Sequence, residues 1–197
     1  METRSARAFL EAFASRFATE RENYTNGGCD DWTELMYRVL HQVKDDLKLW
    51  CECKMAEHHE KQPGTVRGER LHIDFFWYHR VPGHETRAKS VEEVYQPPCI
   101  VIEHENADAR LEYNLWKLSQ LAAPLRVLIG YSKVRGRKKV ERRVTTLIEM
   151  ARSANLFTPV ETEDLWLLSD DAPSKTFSAW RRPVGGSWSD VEPFDIK

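Results

Sequence analysis

The sequence lacks the features that define several large classes of protein. Its four cysteines form no CxxC pair and no dense framework, which argues against a disulfide scaffold and favours free thiols in a reducing compartment. No apolar run approaches the ~20 residues that cross a bilayer. The first residues also lack the charged-then-apolar order of a signal peptide. A cytoplasmic protein without a membrane segment is therefore expected.

An excess of charge of one sign is also missing. The chain carries 29 basic and 31 acidic residues, for a net charge of −2, which argues against a passive nucleic-acid coat protein. An enzyme stays compatible with this balance, because an acidic site can offset a local basic patch. With 197 residues, 41% of them hydrophobic, the chain can bury the core of a domain and is not a disordered chain.

Hydrophobic periodicity predicts a mixed α/β domain. Apolar residues recur at helical spacing from Thr3 to about Glu22, and again from Asp30 or Asp31 to Leu47. Strand and helix patterns then alternate, and the last two strands are expected to form a hairpin. Strands are predicted at 47–55, 71–79, 100–105, 125–131, 164–168 and 176–181, and further helices at 108–122 and about 140–151.

One domain with extensions is the predicted organisation. Residues 1–29 are expected to be a helical extension of the same domain, and residues 30–182 its core. The segment 183–197 is rich in Gly, Ser and Pro, which predicts an irregular tail.

Two carboxylates follow the most apolar strand. The run Ile100–Ile102 reads as a buried strand and continues into Glu103 and Glu105, which share one face because side chains alternate along a strand. Two acids side by side are unfavourable unless a cation lies between them, and a hard divalent cation with oxygen ligands is the usual partner. The alternative is that the strand ends at Ile102 and that both glutamates are solvated.

A third carboxylate interrupts an aromatic strand. Asp74 lies within the predicted strand 71–79, where it either discourages edge-to-edge aggregation or contributes to a site. If this strand neighbours the one that carries Glu103 and Glu105, three carboxylates converge and fit Mg²⁺. In phosphodiester hydrolysis such an ion polarises the phosphoryl oxygen and lowers the pKa of an attacking water.

These residues carry a family resemblance. The order helix–strand–strand–strand–helix–strand over about 31–131, with Asp74 in the second strand and Glu103-x-Glu105 in the third, resembles the PD-(D/E)XK nuclease superfamily. The resemblance implies an α/β fold with a restriction endonuclease-like mixed central sheet flanked by helices, the αβββαβ core. It also implies a Mg²⁺-dependent endonuclease that hydrolyses phosphodiester bonds in DNA, with Mn²⁺ as a substitute. The role would lie in restriction, defence or repair.

The resemblance also assigns residues. It implies that Asp74 and Glu103 hold the metal, and Glu105, which stands where the motif has lysine, is expected to ligate it as well. Nucleases of this fold often dimerise to cut both strands, which leaves a homodimer open. The fold's helical acid would fall in the second helix, where Glu34 is a candidate for supporting the metal ligands, although it lies opposite the centre of the apolar stripe.

The next helix offers a replacement for the motif lysine. Arg110, Asn114 and Lys117 form a polar stripe beside the apolar one, and relocated lysines of this kind are known in the family. Lys117 is therefore a candidate catalytic residue and Asn114 a candidate supporting residue. The alternative is a solvated helix lysine.

A basic run is the candidate DNA contact. Seven of the eleven residues from Lys133 to Arg143 are basic. Beside an acidic metal site such a run fits the phosphate backbone, although charge runs are more often solvated faces. The phosphate contacts are assigned to Arg135, Arg137, Lys138, Lys139 and Arg142. Four aromatic residues are expected in the core rather than as base-stacking platforms, namely Trp77, Tyr78, Trp116 and Trp180.

Two other functions compete with the nuclease. Loss of the motif lysine favours a catalytically inactive nuclease fold that binds nucleic acid or protein, whereas retention of three acids favours the enzyme. A zinc-structured adaptor would depend on Cys51, Cys53, His58 and His59, whose spacing matches no common zinc finger.

Overall fold

The computed structural model describes residues 5–22, 29–53, 65–67, 73–79, 97–106, 108–132, 136–170 and 176–194. The chain divides into two units at Cys99 and Ile100. The first helix packs against the second within the first unit, and the organisation as one domain with extensions stays a prediction.

The described residues of the first unit form two helices and three strands. Strand β1 pairs in parallel with β2 and antiparallel with β3, so the strand order is β2-β1-β3. Strand β2 is not predicted by hydrophobic periodicity, because Val66 is its one apolar residue. The elements are α1 (Ala6–Glu22), α2 (Cys29–Asp46), β1 (Leu49–Cys53), β2 (Thr65–Arg67) and β3 (Phe75–His79).

Aromatic rings hold α1 in this unit. Phe9, Phe13 and Phe17 follow one another at i, i+4 and stack with centroid distances of 6.2 and 5.6 Å. Phe9 also lies 5.6 Å from Trp77 of β3, and Phe17 meets Trp32 of α2 edge-on. The helical periodicity read from the sequence is thus confirmed by the side chains that it buries.

Asp74 lies just outside β3. The strand begins at Phe75, and Asp74 occupies the preceding bend, where it is half-buried. Its predicted place inside the strand is therefore wrong. Phe75, Phe76, Trp77 and Tyr78 are all buried, so β3 has no solvated face that an acid can occupy without loss of hydration.

The second unit alternates parallel strands with helices. Strands β4, β5 and β6 are parallel, and β7 and β8 continue the sheet antiparallel in the order β4-β5-β6-β7-β8. The predicted hairpin of the last two long strands is confirmed. The elements are β4 (Ile100–Glu105), α3 (Leu111–Ser119, after a 3-10 turn at Asp108–Arg110), β5 (Leu125–Ser132), α4 (Arg137–Ser153), β6 (Glu163–Asp170), β7 (Phe177–Arg182) and β8 (Glu192–Pro193). The fold is mixed α/β.

A glycine brings α3 close to the sheet. Gly130 of β5 lies opposite Glu105 of β4, and a Cβ built on it would come 2.2 Å from Cδ2 of Leu111. Leu111 therefore occupies the space that a side chain at position 130 would need. This close approach sets the start of α3 directly over the end of β4 and β5.

Residues 183–194 contain a short 3-10 turn and the two-residue strand β8, and a buried tryptophan anchors them. Trp188 is buried within a 3-10 turn at Trp188–Asp190 that a capping box of Ser187 and Asp190 begins. Its ring stacks on Trp166 at 5.9 Å and its Nε1 donates a hydrogen bond to the carbonyl of Leu156. One large anchored side chain thus orders a segment whose Gly/Ser/Pro composition is typical of loops.

A buried charge cluster holds the amino-terminal ends of β5 and β6. The Asp164 carboxylate accepts hydrogen bonds from Nε of Arg126 at 2.7 Å and from Nε of Arg182 at 2.5 Å. Nη2 of Arg126 also donates to this carboxylate, and other guanidinium donors reach backbone carbonyls, including those of Leu118 and Thr162. All three charged side chains are buried, so the cluster is a structural one that substrate cannot reach.

Candidate carboxylate–lysine site

The two glutamates of β4 lie on the side of the sheet that faces α3. Strand β4 runs through Glu105, so the alternative that it ends at Ile102 is wrong. Glu103 is 1% exposed and Glu105 is half-buried. His104 between them faces the other way and hydrogen-bonds the Tyr131 hydroxyl at 3.1 Å. The alternation predicted for this strand is therefore present.

Lys117 reaches Glu103. Its Nζ lies 2.7 Å from Oε1 of Glu103, and the lysine side chain is only 11% exposed. A carboxylate as buried as Glu103 needs a cation close by, because burial removes its hydration. The interpretation of Lys117 as a solvated helix lysine is thus wrong.

Asn114 holds the second glutamate. Its Nδ2 donates a hydrogen bond to Oε2 of Glu105 at 3.2 Å, and the amide is buried. Asn114 and Lys117 are three residues apart on α3, so both point to the same side of the helix. The polar stripe predicted on this helix faces the two carboxylates.

The site lies where ligands bind in sheets of this kind. Parallel strands flanked by helices bind their ligands beyond the carboxyl ends of the strands. Glu105 is the last residue of β4, and Ser132 and Asp170 end β5 and β6. The Asp170 carboxylate accepts a hydrogen bond from the backbone N–H of Gly136 at 2.8 Å. This bond holds the start of α4 at the carboxyl end of β6.

Two carboxylates are available to a metal here. Mg²⁺ usually takes one or two protein carboxylates and completes its shell with waters and phosphate oxygens, so Glu103 and Glu105 fit it. Across the described part of the chain, no three His, Cys, Asp or Glu side chains form a group that could hold a metal ion. Asp74 belongs to the first unit, and its assignment as a further ligand stays a prediction.

Two other sequence-based assignments concern residues of the first unit. Glu34 is exposed and its carboxylate accepts a hydrogen bond from Nη1 of Arg38, one turn later on α2. Its assignment as a supporting residue of the metal site stays a prediction. His58 and His59 of the alternative zinc site lie outside the described residues, as do the side chains of Cys51 and Cys53.

The basic run divides into two kinds of residue. Lys133 and Arg135 lie outside the described residues. Helix α4 begins within the run, and four of its residues are exposed, namely Arg137, Lys138, Lys139 and Arg142. Exposure at the surface is what the predicted phosphate contacts require.

Arg143 has a structural role instead. Its guanidinium binds the Glu112 carboxylate and, at 2.7 Å, Oδ1 of Asp108, so it joins α4 to the start of α3. The hydrogen bond from Arg143 holds the pKa of Glu112 below its usual range.

Trp116 corrects the expectation that the aromatic residues are core. Trp77, Tyr78 and Trp180 are buried as expected, but Trp116 is 46% exposed. It stacks on Tyr113, which is 56% exposed, at 5.8 Å. A helical wheel would have found both, since neither falls on the apolar stripe of α3.

Comparisons with known proteins identify no relative of the chain. No family model, no curated protein and no solved structure matches it. No helix among the described residues is long and apolar enough to span a membrane. The function must therefore be argued from the site itself.

Proposed function

We propose that the protein is a metal-dependent nuclease that hydrolyses phosphodiester bonds in DNA. The observation that carries the proposal is the contact of Lys117 with the buried Glu103 at the carboxyl end of a parallel strand. A cation and two acids within one small region are the groups that this reaction needs.

The finer fold assignment belongs to the same proposal. Helix α2, strands β1, β3 and β4, helix α3 and strand β5 follow in the order of a restriction endonuclease-like core, with the short β2 inserted. Lys117 on α3 then supplies the positive charge that the motif lysine supplies elsewhere in the family. The proposed role in restriction, defence or repair rests on this resemblance alone.

Each residue of the site has a chemical task. Lys117 donates hydrogen bonds to a phosphoryl oxygen and offsets the negative charge that develops there. Glu105 has one of two tasks, to accept the proton of the attacking water or to ligate the metal, and Asn114 holds this carboxylate in place. When bound, Mg²⁺ would be held by Glu103, and also by Glu105 in the second of these arrangements, and would polarise the phosphoryl oxygen and acidify the water.

A cleavage assay tests the proposal. Plasmid, linear duplex and single-stranded DNA are incubated with the wild type and with Mg²⁺, Mn²⁺ or EDTA. Cleavage is expected with either metal and not with EDTA. Glu103→Gln should abolish it, and Lys117→Met should slow it by ~10²-fold or more, since a group that stabilises transition-state charge contributes that much. Glu149→Gln, an exposed carboxylate of α4, is the matched control and should cleave like the wild type.

An inactive binding module is the second candidate. The ion pair with Lys117 already neutralises Glu103, and the described residues offer no three-donor metal group. A metal that binds only the folded protein raises the melting temperature. If the wild type shows neither metal-dependent cleavage nor a metal-dependent shift in melting, the binding module replaces the enzyme.

A further inference from the structure

The exposed aromatic pair on α3 has no part in the core. Tyr113 and Trp116 are 56% and 46% exposed, and their rings stack with an interplanar angle of 22°. Single exposed aromatic residues are normal on a protein surface, and Phe157 is such a case here. Two large rings stacked on one helix form instead an exposed aromatic surface whose rings hold one another in position before any ligand arrives.

The pair is connected to the carboxylate–lysine site. Nζ of Lys117 lies 5.4 Å from the centroid of the Tyr113 ring and 2.7 Å from Glu103. The lysine thus lies between the aromatic surface and the buried acid. A base stacked on this surface would place its own sugar–phosphate near the residues that are proposed to cleave it.

Positive charge accompanies the aromatic surface. Arg110 is exposed and precedes Tyr113 by three residues. Arg143 binds Glu112 and thereby sets the start of α4, with its exposed Lys139 and Arg142, beside the start of α3. Aromatic rings next to exposed cations are the combination by which proteins hold single-stranded nucleic acid.

We propose that Tyr113 and Trp116 form a stacking platform for unpaired bases, so that the site acts on single-stranded nucleic acid. In a duplex the faces of the bases are covered by their neighbours, and the platform would have nothing to stack on. This inference rests on the proposed nuclease function for its substrate class, but its binding test does not depend on cleavage.

Binding is measured in EDTA, where no cleavage occurs. Fluorescence anisotropy gives the affinity for labelled oligothymidylate, oligouridylate, an abasic strand of equal length and a blunt duplex. The two single-stranded arms distinguish DNA from RNA, and the abasic strand keeps the phosphates but removes the bases. The variants are Tyr113→Ala, Trp116→Ala and Trp116→Phe, with Phe157→Ala as a matched exposed aromatic that lies elsewhere.

The expected result is selective. Each alanine variant should bind the single strands about 5- to 150-fold more weakly, the range that loss of one base–aromatic stack produces, and bind the abasic strand like the wild type. Trp116→Phe should restore most of the affinity, and Phe157→Ala should match the wild type. Binding of the single strand should also quench tryptophan emission in the wild type and less so in Trp116→Phe.

Three outcomes would overturn the platform. Equal affinity of wild type and alanine variants for the single strands would do so, even if metal-dependent cleavage is observed. Absence of any nucleic-acid binding would overturn the platform and the nuclease together. A wild-type oligomer in light scattering that Trp116→Ala converts to monomer would assign the surface to self-association instead.

Discussion

Lys117→Met removes the cation at the candidate site while it keeps most of the side-chain length. The Glu103 carboxylate would remain 1% exposed and would lose the ammonium group at 2.7 Å. Removal of one partner from a buried pair costs about 3–5 kcal/mol. Since Lys117 is itself 11% exposed, water can reach the vacated position, and the lower end of this range is expected. At about 2–4 °C per kcal/mol for a chain of this length, the melting temperature should fall by roughly 6–12 °C.

Thermal unfolding followed by circular dichroism is the assay, with four proteins compared. They are the wild type, Lys117→Met, Glu103→Gln and the double variant. The double variant should be more stable than Lys117→Met, because a neutral amide tolerates burial better than an uncompensated carboxylate. Lys138→Met, an exposed lysine of α4, is the control and should melt within about 0.5 kcal/mol of the wild type.

The melting temperature of Lys117→Met in the presence of Mg²⁺ is a second test. A divalent cation held by Glu103 and Glu105 would replace the lost ammonium charge, so Mg²⁺ should stabilise Lys117→Met more than the wild type. A drop in melting temperature no larger than that of Lys138→Met would refute the reasoning, because Glu103 would then not depend on Lys117. If Mg²⁺ shifts the melting temperature of both proteins equally, Glu103 and Glu105 do not hold the metal.

Three further predictions concern the rest of the second unit. Helix α4 opens with Arg137, Lys138 and Lys139, and replacement of all three by Ala should weaken DNA binding. The slope of log affinity against log salt concentration, measured by anisotropy, should fall by about 0.9 per lost phosphate contact. An unchanged slope would show that these residues form a solvated face. Asp164→Asn should cost about 3–5 kcal/mol in urea unfolding, because the guanidinium groups of Arg126 and Arg182 would lose their shared carboxylate. Arg143 lowers the pKa of Glu112, so this pair stabilises the fold above the unfolded pKa of about 4.3 and ceases to do so as the pH falls through the folded pKa. The melting temperatures of wild type and Glu112→Gln should therefore converge as the pH is lowered from about 6 to about 3.

Local pattern was sufficient to predict most elements of the fold. The apolar run Ile100–Ile102 predicts β4, and the spacing of Leu111, Leu115 and Leu118 predicts α3. Their polar residues follow from the same periodicity, which is why the sequence makes Lys117 a candidate to reach the glutamates, beside the alternative of a solvated helix lysine. The lysine and Glu103 are only one strand–helix connection apart, so few alternative arrangements exist.

Contacts between distant parts of the chain could not be predicted in the same way. Arg126 and Asp164 are 38 residues apart, and nothing in the periodicity of either strand indicates that they meet. Trp188 lies in a segment with loop-like composition, and its burial depends on a ring at position 166. The exposure of Trp116 has a different basis, because residue type predicts a core position whereas its helical position lies outside the apolar stripe.

The two ends of the parallel strands show how similar charges acquire different roles. At the amino-terminal ends Arg126, Asp164 and Arg182 are all buried, and the guanidinium groups also bind backbone carbonyls, so the cluster joins strands to loops. At the carboxyl ends exposure rises stepwise from Glu103 at 1% through Lys117 at 11% to the Tyr113 ring at 56%. Only at the carboxyl ends do partly exposed side chains connect the solvent with a buried acid, Glu103. A polymer that stacks on the ring can present its backbone to the lysine, and for this reason the carboxyl end is the end at which chemistry is proposed.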